Sequence, residues 1–433
     1  KMALSLCGRR RLTPTGIFSM LQTLFEAIIP QIHPAAKHRG TLRRTDINGV
    51  CLLIFYLMGK RLNILVISSK IELEKQAEGA FFLQDIHKKR TILTVLLVVA
   101  ALALLLFLIG LDIWKGQKEA AFTQSGLSMG TVVTAQLYGP GEAETSSALF
   151  SAFDTLEKER ISWRAESSEI AKINASAGSP APISEQTATY LRKAAEVSQK
   201  SDGALDCTVG TLTKLWDIGG DHARVPSPEE IAVALQTVGW QHFSLKDGQA
   251  KLASGQSLDL GAIGKGIACD EAKRLLDGTR LSGAVISVGG SILLWGSRPG
   301  GGDWKVGVRD PRGEASDQLG TFTLAEGFVS TSGDYERTLT VDGKTYHHIL
   351  NPKTGYPADA GLISVTVTAP SGLLSDALST ACFILGYEKS LPLLDAFGAE
   401  AIFVTQEKQV RITPGLKQTF QLTNDAYHLI QDT

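Results

Sequence analysis

The longest apolar run, Thr91–Leu111, has no charged residue and no polar face, so its pattern fits neither a surface helix nor an alternating strand. As a helix rising about 1.5 Å per residue it extends roughly 31 Å, the thickness of a bilayer's hydrocarbon core. His87-Lys88-Lys89-Arg90 precedes it, whereas only Asp112 and Lys115 follow closely. This asymmetry puts residue 90 in the cytoplasm and the later residues on the extracytoplasmic face of the cell membrane. The run exceeds a signal-peptide core, and no small-residue cleavage site or lipid-carrying cysteine follows, so a single-pass, uncleaved anchor over 91–111 is expected. Residues 1–90, assigned to the cytoplasmic side, show no period that specifies a fold. Within them Val50–Met58 is apolar but too short to span, and Met58-Gly-Lys-Arg offers an alternative translation start.

Beyond the anchor the pattern becomes that of a folded body. Residues 112–125 read as a polar tether and 126–433 as one domain. Met129–Tyr138 alternates as a strand and stops at Gly139-Pro140-Gly141. Leu149, Phe153 and Leu156 recur at helical spacing, predicting a helix to about Arg160. Ser227-Pro228-Glu229-Glu230 predicts a helix start, with serine as cap, proline in the first turn and a glutamate to complete a capping box. Strand-like runs (Ala284–Val288, Trp304–Val308, Gly361–Thr368, Ala401–Thr405) then intermix with helical ones (Gly264–Leu276, Ser375–Leu385, Lys389–Phe397). There is no regular βαβ rhythm, which predicts an α+β fold with mixed or antiparallel sheets and packed helices.

Composition adds little to this picture. The chain has 433 residues, 44% of them hydrophobic, enough for a substantial core. A net charge of −1 gives no electrostatic footprint for nucleic acid, although arginines crowd the first part of the chain. The cysteines (Cys7, Cys51, Cys207, Cys269, Cys382) lack metal-ligand spacing and read as small buried apolar residues.

Four polar clusters punctuated by glycine carry the candidate chemistry. Asp376 and Thr380 lie four apart near a helix start, with Ser379 beside them, and hard oxygens on one helical face suit Mg²⁺. Taken alone, that stretch reads more readily as a helix start capped by Ser375, with Asp376 favouring the helix dipole, than as a metal site. Asp259-Leu-Gly-Ala-Ile-Gly-Lys-Gly266 offers close backbone approach, a helix N-terminus and the ammonium of Lys265 to a phosphate, but its spacing is not that of a Walker loop. His348, in His-His-Ile-Leu-Asn-Pro-Lys-Thr-Gly355, is a candidate proton carrier, with His347 pointing to the opposite face of the strand. Thr331-Ser-Gly-Asp-Tyr335 completes the set.

In order along the chain, Met129-Gly-Thr131, Ser162–Glu169, Gly203–Gly210, Asp259–Asp270, Val288-Gly-Gly290, Trp304–Pro311, Thr331–Tyr335, His348–Pro357 and Asp376–Thr380 resemble the FAD:protein FMN transferases, the ApbE family. That resemblance implies Mg²⁺-dependent cleavage of FAD, transfer of its FMN half to a threonine hydroxyl of an acceptor redox protein, and release of AMP. It implies FAD contacts at Met129, Trp163, Ala204, Leu205, Asp206, Asp259, Lys265 and Ile349. By the same resemblance Mg²⁺ falls to the carbonyl of Ala262 with Asp376, Ser379 and Thr380, and the catalytic base to His348. The chain departs from the family's pattern at Trp163-Arg164 and at Asn351, which stands in place of a frequent aspartate. Ser282-Gly-Ala-Val285 approaches the Ser/Asp-Gly-x-Thr acceptor pattern but has valine where a hydroxyl is needed, so the acceptor is expected to be another protein. Hydrolysis of FAD to FMN and AMP, or flavin binding without turnover, are the alternatives.

Overall fold

The computed structural model describes residues 90–108 and 121–430. The readings of Val50–Met58, Met58, Cys7 and Cys51, of residues 109–111 and of the tether up to residue 120 lie outside the described residues. Arg90–Leu108 forms one helix, long and apolar enough to cross a membrane.

The main sheet has nine strands. They are β1 (Phe122–Ser128), β2 (Thr131–Tyr138), β3 (Gly283–Val288), β4 (Ser291–Gly296), β5 (Gly327–Gly333), β6 (Leu362–Ala369), β7 (Glu400–Thr405), β8 (Gln409–Ile412) and β9 (His428–Leu429). Their spatial order follows the chain, and neighbours are antiparallel except β8 and β9. The α+β reading holds.

Both faces of the sheet are covered. In β7, Ala401 and Phe403 enter one core while Ile402 and Val404 enter the other, so the strand reads as an unbroken apolar run. On one side lie α1 (Gly264–Leu276) over β3 and β4 and α2 (Gly372–Leu385) over β5 and β6. On the other, a small sheet supplies Val306, Val308 and Phe322 to the second core.

Several boundaries move. The expected tether ends early, because β1 begins at Phe122 and pairs along its length with β2. The strand predicted from Met129 begins at Thr131, since Met129 and Gly130, with φ of 56° and 66°, form the tight turn between β1 and β2. The helix predicted to reach Arg160 is α-helical over Glu142–Thr155 and continues as a π-helical segment to Ile161. The helix predicted from Ser375 begins at Gly372. The capping box at Ser227 is present, with Ser227 Oγ accepting from Glu230 N at 3.2 Å and Glu230 accepting from Ser227 N at 2.8 Å. Cys207, Cys269 and Cys382 are buried free thiols, and burial raises the pKa of each.

Candidate active site

The centre of the site is a crossing of α1 and α2 that only glycine allows. A Cβ on Gly266 would stand 2.0 Å from the carbonyl oxygen of Gly372, and one on Gly372 would stand 2.2 Å from that of Gly266. Asp270, one turn along α1, fixes the start of α2 by accepting from Gly372 N at 2.7 Å and Leu373 N at 2.8 Å. Burial pushes its pKa up. The cap of α2 is Ser371, whose Oγ accepts from Leu374 N, and not Ser375. Asp376 therefore lies one turn inside α2, against the N-terminus of α1. Its Oδ2 accepts from Gly266 N at 3.0 Å, and its Oδ1 is 3.1 Å from Lys265 Nζ. Lys265 also donates to the carbonyl of Gly261 at 3.3 Å. Asp376 is only 1% exposed, so this buried carboxylate depends on these donors for compensation.

A ladder of hydroxyls runs beside that pair. Ser330 and Ser332 share the helix-facing side of β5, two residues apart, while Ser375 and Ser379 share one side of α2, four apart. The periods match: Ser330 Oγ is 2.8 Å from Ser375 Oγ, and Ser332 Oγ is 2.8 Å from Ser379 Oγ and 3.3 Å from Thr380 Oγ1. Ser332 was not singled out by sequence reasoning, although the Thr331–Tyr335 cluster contains it. Among the described residues no group of three or more His, Cys, Asp or Glu side chains is placed to hold a metal. A carboxylate with hydroxyl and carbonyl oxygens nonetheless fits Mg²⁺, which needs few protein carboxylates when phosphates supply the rest. Asp376 and Thr380 supply a carboxylate and a hydroxyl of that kind, with Ser379 held between Ser332 and the carbonyl of Asp376.

The two histidines occupy different surroundings. His347 ends a short strand, is half-buried, places Nε2 2.9 Å from the carbonyl oxygen of Ala358 and meets Phe383 edge-on at 5.4 Å. Burial lowers its pKa. His348 follows it and is exposed. Its pKa is pushed down to about 3, first by the mass of protein around it and then by the cations of Lys265 and Arg337 and by His347. Lowered from the ordinary 6.5, that pKa leaves the imidazole neutral near pH 7. Arg337 accepts from His348 N through its carbonyl at 3.1 Å and donates to the carbonyl of Gly130 at 3.3 Å, tying the histidine to the Met129-Gly130 turn. The turn Asn351–Gly355 is anchored from below, because Trp216 Nε1 donates to the carbonyl of Gly355 at 2.8 Å.

The remaining candidates divide into two groups. Met129, half-buried, donates its N–H to Glu157 at 2.8 Å. Asp259 accepts from Gly261 N at 2.8 Å, at the start of the loop that leads to Lys265. Trp163 is half-buried and carries the Arg164 guanidinium 4.1 Å and the Lys214 ammonium 5.1 Å from its ring centroid. Ala204, Leu205 and Ile349, by contrast, are core side chains, so they offer a ligand backbone only. Asp206 is spent internally: Oδ1 accepts from Thr208 N and Oγ1 at 2.8 and 2.7 Å, Oδ2 from Trp240 N at 2.9 Å, and burial raises its pKa. A cavity of ≈ 300 Å³ bordered by Lys273, Trp295, Glu326 and Glu400 lies elsewhere and contains none of these residues.

Comparison with known proteins converges on one family. The description of the ApbE family matches residues 129–403. A FAD:protein FMN transferase of Treponema pallidum is 36% identical over 316 residues, covering 68% of this chain and 87% of the relative. One from Escherichia coli K12 is 30% identical over 324 residues, covering 71% and 92%. Among solved structures, the ApbE protein of Thermotoga maritima superposes with a TM-score of 0.65 at 32% identity, covering 69% of this chain and 99% of that one. The apo flavinyl transferase ApbE of Pseudomonas stutzeri gives 0.59 at 30% identity, covering 71% and 95%.

Proposed function

Because this chain belongs to the ApbE family, we propose that it is a flavinyltransferase that moves FMN from FAD to a threonine hydroxyl of an acceptor redox protein with a Ser/Asp-Gly-x-Thr motif. The observation that carries this reading is the buried Asp376 held between Lys265 and Gly266 N, with the hydroxyls of Ser332, Ser379 and Thr380 alongside. In the reaction the threonine oxygen bonds to the phosphorus of the FMN half. The bond from that phosphorus to the bridging oxygen breaks, and AMP leaves with the electron pair. His348, neutral near pH 7, takes the threonine proton. Asp376, Thr380 and the Ala262 carbonyl would hold Mg²⁺, which when bound neutralises phosphate charge. Lys265 and the N-terminus of α1 orient the anion.

We further propose that residues 91–111 anchor the protein in the cell membrane through one helix, with 1–90 cytoplasmic and the transferase domain, residues 126–433, on the extracytoplasmic face. The test of the activity is direct. Purified protein, FAD, Mg²⁺ and a peptide bearing the acceptor motif should yield AMP and flavin-labelled peptide in equal amounts, and chelation should stop both. AMP formed without labelled peptide would replace the transferase with an FAD hydrolase.

A further inference from the structure

We infer that Arg164 and Lys214, both stacked against Trp163, form a phosphate-recognition element for FAD separate from Lys265; the inference rests on the transferase reading above. Two like charges share one indole, at 4.1 and 5.1 Å from its centroid. Among the described residues neither has a carboxylate within ion-pair distance; the ion pairs found there are made by other residues. The ring's quadrupole offsets part of their repulsion, and an anion settling between them would offset the rest.

The placement of Lys214 is built into the fold. Its Nζ donates to Ser257 Oγ at 3.1 Å, and Ser257 is buried. The helix bearing Lys214, Gly210–Trp216, is locked to Ser257 because Gly210 N donates to the Ser257 carbonyl at 2.9 Å, where a Cβ on Gly210 would stand 2.6 Å from that oxygen. Lys214 thus joins three of the motif segments: it follows Gly203–Gly210, stacks on Trp163 of Ser162–Glu169, and bonds the residue two before Asp259.

The ligand chemistry follows from charge. Lys265 is already engaged by Asp376 at 3.1 Å, so a pyrophosphate would find its ammonium partly neutralised. Two uncompensated cations on an aromatic shelf match a dinucleotide, which carries its negative charge on the pyrophosphate between flat rings.

The experiment uses the full chain in detergent and flavin fluorescence anisotropy, with FAD and riboflavin as probes. Lys214→Met and Arg164→Met keep the apolar stems that cover Trp163 and remove the charges. Each should weaken FAD about tenfold, as expected for a lost charge-assisted contact, and riboflavin less than about twofold. Lys214→Arg should retain FAD affinity, and the loss in the Met variants should shrink in high salt. Equal losses for FAD and riboflavin would mean that the cations only brace the indole, and unchanged FAD binding would mean that they serve another partner; either overturns the inference. If the unmodified chain binds FAD while the variants match it, only this inference falls, whereas an unmodified chain that binds neither flavin removes the transferase reading as well.

Discussion

At the scale of single residues, His348 and Asp376 make separable contributions. With its pKa below the ordinary 6.5, His348 stays unprotonated through mildly acidic pH, so the acid limb of the transfer rate should lie below pH 6.5. His348→Ala should lose about 10²-fold in transfer with FAD affinity nearly unchanged, measured by AMP release and flavin titration; an equal loss of affinity would remove its role as base. The same depression has a stability consequence. Between pH 6.5 and the lower folded value the unfolded chain binds the proton more readily, so stability falls as pH falls, and His348→Gln should flatten that part of the profile. His347, although it points to the opposite face, is no neutral control for this test, because His347→Ala removes a partner of the Ala358 carbonyl and a ring against Phe383. Asp376→Ala should abolish turnover, by about 10²-fold or more, while circular dichroism stays unchanged; wild-type rates at limiting Mg²⁺ would dismiss the metal assignment.

At the scale of elements, the site depends on how closely two helices approach. Gly266→Ala forces a methyl against the carbonyl of Gly372, so α1 and α2 must separate and carry Lys265 away from Asp376. A loss on the order of 3 kcal/mol in chemical denaturation is expected, together with loss of transfer. Activity at the wild-type level in a destabilised variant would show that the crossing matters for folding alone. The Ser330/Ser332 and Ser375/Ser379 ladder belongs to the same scale, since a strand period of two meets a helix period near four only where both elements run side by side.

At the scale of the molecule, β1 is the first strand of the sheet and not part of a tether. A chain beginning at Leu127 removes most of β1 and leaves the buried hydroxyl of Ser146 without Gln124, its partner at 2.7 Å. It should be less stable than a chain beginning at Ala121 by about 1–3 kcal/mol from that hydroxyl alone, seen as a lower Tm. Topology is tested in intact cells, where added protease should digest the body beyond residue 120. Digestion only after lysis would reverse the proposed orientation.

By itself the sequence determined the features set by local pattern. An uncharged apolar run long enough to cross a bilayer needs no neighbour to be recognised, and the capping box at Ser227 and the helix Gly264–Leu276 are written in adjacent residues. The ordered motifs likewise pointed to Lys265, Asp376, Ser379 and Thr380, which the fold brings together. Tertiary structure decided what local pattern cannot hold. Start of α2 passed from Ser375 to Ser371 because Asp270, distant in sequence, accepts from its first N–H groups. Ala204, Leu205 and Ile349 went to the core and Asp206 to internal hydrogen bonds because burial depends on which segments pack above them. The neutral state of His348 and the paired cations on Trp163 follow from charges that lie far apart in the chain and meet only when it folds.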